Sequence, residues 1–294
     1  MEKSPSLLAW FMLIVLSLIW GSSFILIKRG LEVFSPMELG SLRIAAASLF
    51  LAPIAISRFY RIKRNHLALL FIIGLMGSLL PAFFFAIAQT KLNSSLTGVL
   101  NALTPLFVLV MGIAFFKQKY IPGKLTGMII GFAGTVALIL SGSSGEFSNF
   151  NYYALFVVLA TIFYGVNLNV IKYYLADLKA LTITSVSLLF MGPLAGMVLF
   201  GFTPFLDTMQ HTEGAWLAFG YVMTLGVVGT ALALIIFNNL VQMTTPVFTS
   251  SVTYIIPIVA VIWGVVDGEE LYLVHYISMA AILAGVYLVN RKRS

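Results

Sequence analysis

Apolar runs of about 20 residues, each long enough to cross the ~30 Å hydrocarbon core of a bilayer, recur along the chain from Leu7 to Val289. Ten spans are predicted, near residues 7–28, 36–57, 67–88, 94–116, 122–141, 152–172, 181–201, 214–237, 246–266 and 271–289. A water-soluble chain cannot hide that many such runs, and it would carry about 25% charged residues against 9% here. The expected fold class is an all-α membrane protein. The longest stretch without a clear span is the connection from Gly201 to Gly214, so no soluble domain fits. The absence of cysteine excludes disulfides and thiolate metal sites. His66, His211 and His275 fall in or beside predicted loops without metal-ligand spacing, and neither metal nor cofactor is expected.

The net charge of +7 suggests a nucleic-acid partner until the charges are placed. With a cytoplasmic N-terminus, 13 of the 17 basic residues fall on inside segments, among them Arg58, Arg61, Lys63, Arg64, Lys117, Lys119 and Lys172. Eight of the ten acidic residues fall outside, including Glu32, Glu38, Glu146, Asp267, Glu269 and Glu270. The Lys/Arg bias sets orientation, so both termini are expected in the cytoplasm of a multi-pass cytoplasmic (inner) membrane protein. Nucleic acid is not an expected partner. The first apolar stretch is too long for a signal peptide and lacks a small-x-small cleavage pattern, so it is expected to remain as the first helix.

The chain repeats itself. Offset by 152, Gly74–Gly112 aligns without gaps on Gly226–Gly264, with seven identities in 39 positions. Four of the seven are glycine or proline (Gly74/Gly226, Gly77/Gly229, Pro105/Pro257 and Gly112/Gly264), residues that decide where helices pack closely or bend. Gly21, Ile27, Lys28 and Leu31 pair with Gly165, Ile171, Lys172 and Leu175, while Ala133-Gly134 pairs with Ala284-Gly285. The change of offset places eight extra residues in the second half, in the connection between spans seven and eight. Two repeats are expected, residues 1–145 (helices 1–5) and 146–294 (helices 6–10). Five spans per repeat force the halves to lie upside down relative to each other, the inverted arrangement of secondary transporters, whose solute site lies between the repeats.

Several short motifs carry a family resemblance over nearly the whole length. Trp20-Gly21-Ser22-Ser23-Phe24 looks like a first-helix W-G-x-x-F pattern, Arg43 after Glu38-Leu39-Gly40-Ser41-Leu42 like a second-helix arginine, and Thr104-Pro105-Leu106-Phe107 like a fourth-helix proline segment. Ile256-Pro257-Ile258, Gly268-Glu269 and Leu283-Ala284-Gly285-Val286-Tyr287 look like a closing signature. In their order and spacing the chain resembles the drug/metabolite transporter superfamily, EamA-type branch. The resemblance implies a ten-helix carrier exporting small metabolites, amino acids and drugs among them, and names no single solute. The chain departs from the pattern at Lys117-Gln118-Lys119, where the first repeat often has an acidic residue, and at Ser187, where symmetry would place a second arginine.

Polar groups in lipid must pair or line a cavity. Thr97, Asn101 and Thr104 share one face of the fourth span at i, i+4 and i+7. Thr253 and Tyr254 belong to the ninth span, Tyr164, Asn167 and Asn169 to the sixth, and Asn238 and Asn239 to the eighth. Arg43 is the one basic residue well inside a predicted span. At mid-membrane it costs at least ~2.5–3.5 kcal/mol on insertion scales, and it calls for a structural partner such as Glu38 or for an anionic solute. Trp20 and Tyr164 occupy equivalent repeat positions, which suits either core packing or a two-sided aromatic wall. The candidate solute site is therefore Trp20, Ser23, Arg43, Asn101, Tyr164, Asn167, Asn238, Thr253 and Tyr254. Pro105 and Pro257 remove the backbone bonds to the carbonyls of Asn101 and Thr253, making them candidate hinges. Gly123, Gly127 and Gly131, with Ala281 and Gly285, suit tight helix contact within the chain or in a homodimer. Asp267, Glu269 and Glu270 are expected to be solvated at the outer end of the ninth span.

The function these features favour is alternating-access transport, with export of small metabolites such as amino acids or drugs, driven by proton or solute gradients. A facilitative carrier or exchanger is the alternative. No Walker A sequence, H-E-x-x-H, G-x-S-x-G or pair of intramembrane carboxylates occurs, which weighs against an ATPase or membrane enzyme. No filter-like sequence points to a channel.

Overall fold

The computed structural model describes residues 6–60, 62–118, 125–141, 151–243 and 252–290. The described residues are helical and contain no strand. Helix α1 (Leu7–Leu31) starts where Ser6 accepts the Ala9 N–H at 3.2 Å. Helix α2 (Pro36–Phe59) starts at a capping box in which Ser35 and Glu38 exchange side-chain and backbone bonds, with Pro36 opening the first turn. The third span is α3 (Arg64–Gly74), a π segment (Leu75–Leu79) and α4 (Leu80–Gln89). The fourth is α5 (Ser94–Asn101) and α6 (Thr104–Phe115), and α7 (Leu125–Ser141) follows.

The second half has α8 (Ala154–Tyr174), α9 (Ala180–Gly201) and the short α10 (Phe205–His211). The eighth span is α11 (Ala215–Gly226), a second π segment (Val227–Leu232) and α12 (Ala233–Met243). Helices α13 (Val252–Val266) and α14 (Leu273–Asn290) complete it. Seven of these helical stretches are both apolar and at least 18 residues long, enough to cross a membrane, and three shorter apolar helices (Thr126–Ser141, Ile255–Val266 and Leu273–Leu288) stand at the other predicted spans. The expected boundary at 145/146 lies outside the described residues.

The packing is the same scheme made twice. Helix α2 lies along α9, and α7 along α14, each helix against its own repeat equivalent. Contact of α1 with α13 is matched by contact of α8 with α6, and α2 with α11 by α9 with α3. The π segments begin at Leu75 and Val227, residues related by the sequence offset. Each π turn adds a residue to a helical turn and leaves backbone groups to be satisfied by neighbours.

Glycine sets the closest approaches. A Cβ on Gly165 would lie 2.9 Å from the Phe107 carbonyl oxygen, and one on Gly21 would lie 2.7 Å from Val259 Cγ1, where Val259 is the repeat equivalent of Phe107. Likewise, Gly226 faces the Arg43 carbonyl oxygen at 2.7 Å, and Gly74 that of Ser187 at 2.7 Å. The α7 and α14 backbones touch: a Cβ on Gly285 would meet Gly131 and, at 2.6 Å, the Gly127 carbonyl oxygen. That part of the small-residue stripe is therefore buried within the chain; Gly123 lies outside the described residues. Helix α10 occupies the connection where eight extra residues were expected. It packs Phe205 on Phe34, with ring centroids 5.8 Å apart, and Thr208 donates to Glu38 at 3.0 Å.

Candidate functional site

Two aromatic pairs, related by the repeat, flank the interface. Trp20 packs on Phe237 with ring centroids 5.2 Å apart. Tyr164 stacks on Phe85 at 6.2 Å, and Phe85 meets Phe24 at 5.8 Å. Trp20 Nε1 donates to the Gly229 carbonyl in the second π segment at 3.1 Å, so the backbone group exposed by that irregular turn is covered by the indole.

Arg43 reaches the same segment. Its Nε donates to Thr230 Oγ1 at 3.0 Å, and the Thr230 hydroxyl donates onward to the Leu225 carbonyl at 3.1 Å. Tyr164 interacts electrostatically with the guanidinium. Glu38 does not pair with Arg43. Its carboxylate is held at the start of α2 by the Ser35 N–H (2.8 Å) and Thr208. Among the described residues Arg43 has no ion-pair partner.

The other expected residues sort by how their polar atoms are used. Ser23 is buried and donates to Ile19 within its own helix at 3.0 Å. Asn169 is buried, with its amide donating to Val108 (2.9 Å) and Gly165 (2.8 Å), so it joins α8 to α6. Asn101 and Asn167 each keep a buried Oδ1 with no hydrogen-bond donor, and Asn167 packs on Gly77 beside the first π segment. Thr253 is half-buried in α13. The side chains of Asn238 and Tyr254 lie outside the described residues.

The prolines differ. Pro105 stands in the first turn of α6, just after the break from α5, and the Asn101 carbonyl it deprives is taken by the Thr104 hydroxyl at 2.8 Å. Pro257 sits within the continuous helix α13.

A charged cluster at one end corrects the expectation that Asp267 and Glu269 are solvated: their side chains are 9% and 2% exposed. Gly268 adopts φ 81°, a left-handed turn that glycine tolerates, and the Glu269 N–H bonds back to the Gly264 carbonyl at 2.9 Å. The turn aims the Glu269 carboxylate at the start of α5. There Oε1 accepts from Ser94 N–H (2.8 Å) and Oγ (2.7 Å), and Oε2 from Ser95 N–H (3.0 Å) and Oγ (2.6 Å). Lys28 from α1 adds bonds to Glu269 (3.0 Å) and Asp267 (2.6 Å). Arg29 pairs with Asp267 and, at 2.7 Å, with Glu32. Burial pushes the Glu269 carboxyl upward, but the hydrogen bonds from Ser95 and Ser94 outweigh it and hold the group below its ordinary 4.5. Gly264 leaves the room: a Cβ there would collide with both the carboxylate and the Ser95 hydroxyl.

The first repeat makes a similar turn, one residue longer, without the charge. Lys117 takes the left-handed conformation (φ 55°), and the Gln118 N–H bonds to the Gly112 carbonyl at 3.0 Å. Gln118 thus stands where the second repeat has Glu269. Sequence reasoning missed this clasp and the Ser22–Trp263 bond (2.8 Å). A usable signal was Asn93-Ser94-Ser95, a helix start whose Asn93 supplies no cap, on the same predicted side as Lys28 and Glu269.

Comparison with known proteins agrees with this architecture. The EamA-like transporter family matches the chain twice, over residues 7–140 and 151–291. An uncharacterized transporter of Archaeoglobus fulgidus is 27% identical over 285 residues, covering 97% of this chain and 99% of that protein. The uncharacterized inner membrane transporter YedA of Escherichia coli K12 is 26% identical over 293 residues, covering 95% and 89%. A solved structure titled "Crystal structure of protein" superposes with a TM-score of 0.62 at 19% identity, covering 95% of each chain, a likeness of fold. The chain is a multi-pass membrane protein and belongs to the EamA-like transporter family.

Proposed function

We propose that this protein is a secondary transporter that exports small organic metabolites, with amino acids and drugs as the first classes to test, by alternating access across the cytoplasmic membrane. The observation that carries the reading is the duplicated interface. Contacts of α1 with α13 and of α8 with α6 are equivalents, so loosening one set while tightening the other exchanges an opening at one face for an opening at the other. The clasp around Glu269, with Gln118 at the equivalent place, makes the two ends unequal and gives one closure a charged lock.

In this reading Trp20, Ser23, Arg43, Asn101, Tyr164, Asn167, Asn238, Thr253 and Tyr254 contribute to the solute path, and Pro105 and Pro257 act as hinges. The boundary between the repeats falls near residue 145. The distribution of basic residues supports cytoplasmic termini. The naming of YedA as an inner membrane transporter supports the location, and the transporter names of the relatives support a non-enzymatic role. Protons or a counter-solute supply the drive.

The test is reconstitution in liposomes loaded with labelled amino acids and metabolites at set pH gradients. Saturable flux stimulated by solute on the far side is expected. Flux that rises linearly without saturation, or unitary conductance, refutes the carrier reading; insensitivity to pH assigns it to exchange or facilitated movement.

A further inference from the structure

Arg43 poses a charge-balance problem that the described residues do not solve. Eight of the ten acidic residues lie among the described ones, and none pairs with it. The other two, Glu2 and Glu146, belong to a terminus and a predicted loop. A half-buried guanidinium without a counter-ion in a low-dielectric setting is unfavourable, and an anion arriving from outside the chain relieves it.

The geometry also prepares the group for binding. Thr230 occupies Nε, and because its hydroxyl is fixed on the Leu225 carbonyl, the guanidinium is held by the π segment rather than free to swing. No bond from the Nη atoms to a described residue accompanies it, so the two-pronged end remains available, the end that matches a carboxylate. Tyr164, which interacts electrostatically with the guanidinium, is half-buried and has its ring stacked on Phe85. The repeat equivalent of Arg43 is Ser187, whose hydroxyl is bonded to its own helix at 3.0 Å. The interface is therefore symmetric in its apolar walls and one-sided in its charge, which orients a solute with a single negative end.

We propose that Arg43, positioned by Thr230, is the anchoring subsite for a carboxylate-bearing solute whose apolar body lies against the half-buried Tyr164. This rests on the transport reading and deepens it by naming the ligand chemistry. The planar fork fits carboxylate and phosphate alike, but a single cation balances a monoanionic carboxylate and leaves a phosphate dianion half neutralised.

The test uses purified full-length protein in nanodiscs and three matched probes: 3-phenylpropanoate, 3-phenylpropanol and 3-phenylpropylamine. Binding is read from tryptophan fluorescence and thermal stabilisation. The carboxylate is expected to bind about 10- to 100-fold more tightly than the alcohol or amine, the ratio one charge-assisted pair supplies. Arg43→Gln is expected to abolish that preference. Arg43→Lys keeps the charge without the fork and, as the variant less disruptive to folding, is expected to reduce it about tenfold. Equal binding of the three probes to wild type, no binding of the carboxylate, or a preference unchanged in Arg43→Lys overturns the inference. Counterflow in liposomes separates the two readings. Saturable flux of neutral solutes without an Arg43-dependent preference sinks this subsite alone. An Arg43-dependent preference with no flux sinks the transport reading alone.

Discussion

Replacing Glu269 with glutamine should open the end of the bundle that it fastens. Its two carboxylate oxygens accept four bonds from Ser94 and Ser95 and one from Lys28. Glutamine retains one acceptor oxygen and puts an NH2 where the other was. If that NH2 faces Ser95, the hydroxyl can rotate to accept, but the backbone N–H cannot, and two donors oppose each other. Lys28 keeps a neutral acceptor at the Oε1 position but loses that ion pair, so Asp267 becomes its one charged partner there. Charge-assisted bonds are worth about 1.5–3 kcal/mol each, and breaking a buried pair costs about 3–5 kcal/mol. Because hydroxyl rotation recovers part of the loss, about 3 kcal/mol is expected. Expressed wholly in the opening of this end, that is a rise of roughly 100-fold in the open population. The chain has no cysteine, so a single cysteine at the buried Leu92, just before α5, reports on it. Maleimide labelling of purified Leu92→Cys protein should accelerate sharply when Glu269→Gln is added, and the melting temperature should fall. Unchanged labelling and unchanged melting would refute the claim that this carboxylate holds α1, α5 and α13 together.

The same clasp has a pH signature. Because the folded protein holds the Glu269 carboxyl below its ordinary 4.5, the unfolded chain binds more protons in that window. Stability from this group is complete above 4.5 and is lost as pH falls through the folded value; melting curves from pH 7.5 to 3.5 should show an acid decline that Glu269→Gln flattens. Gly285→Ala drives a Cβ to 2.6 Å from the Gly127 carbonyl oxygen and should destabilise α7 against α14 by about 1–3 kcal/mol, read by thermal unfolding; a neutral result contradicts the close backbone contact. Lys117→Gly should stabilise by about 1 kcal/mol, since a lysine held at φ 55° pays a left-handed penalty that glycine avoids. Pro105→Ala supplies an N–H for the Asn101 carbonyl now held by Thr104. It should slow transport at equal expression if the break between α5 and α6 is a hinge, and flux equal to wild type removes that role.

The apolar spans, the duplication and its offset were legible in the chain itself, because lipid imposes a length on every crossing and a repeat leaves matched glycines wherever backbones meet. Gly21 and Gly165 were paired by the repeat, and the structure places both at close approaches, to Val259 and Phe107. The offset that paired Gly74 with Gly226 also locates both π segments, although nothing in composition distinguishes a π turn from an α turn. The use of each polar residue was decided only by tertiary structure. Ser23 and Asn169 have the same standing in the sequence as Asn101 and Asn167, polar residues within apolar spans, yet the first two are satisfied by backbone carbonyls and the last two retain a free buried oxygen. Glu269 looked solvated because its partners Ser94, Ser95 and Lys28 are more than 170 residues away. Where no water competes, the environment of a polar group is set by whichever distant helix reaches it, and local sequence carries no record of that neighbour.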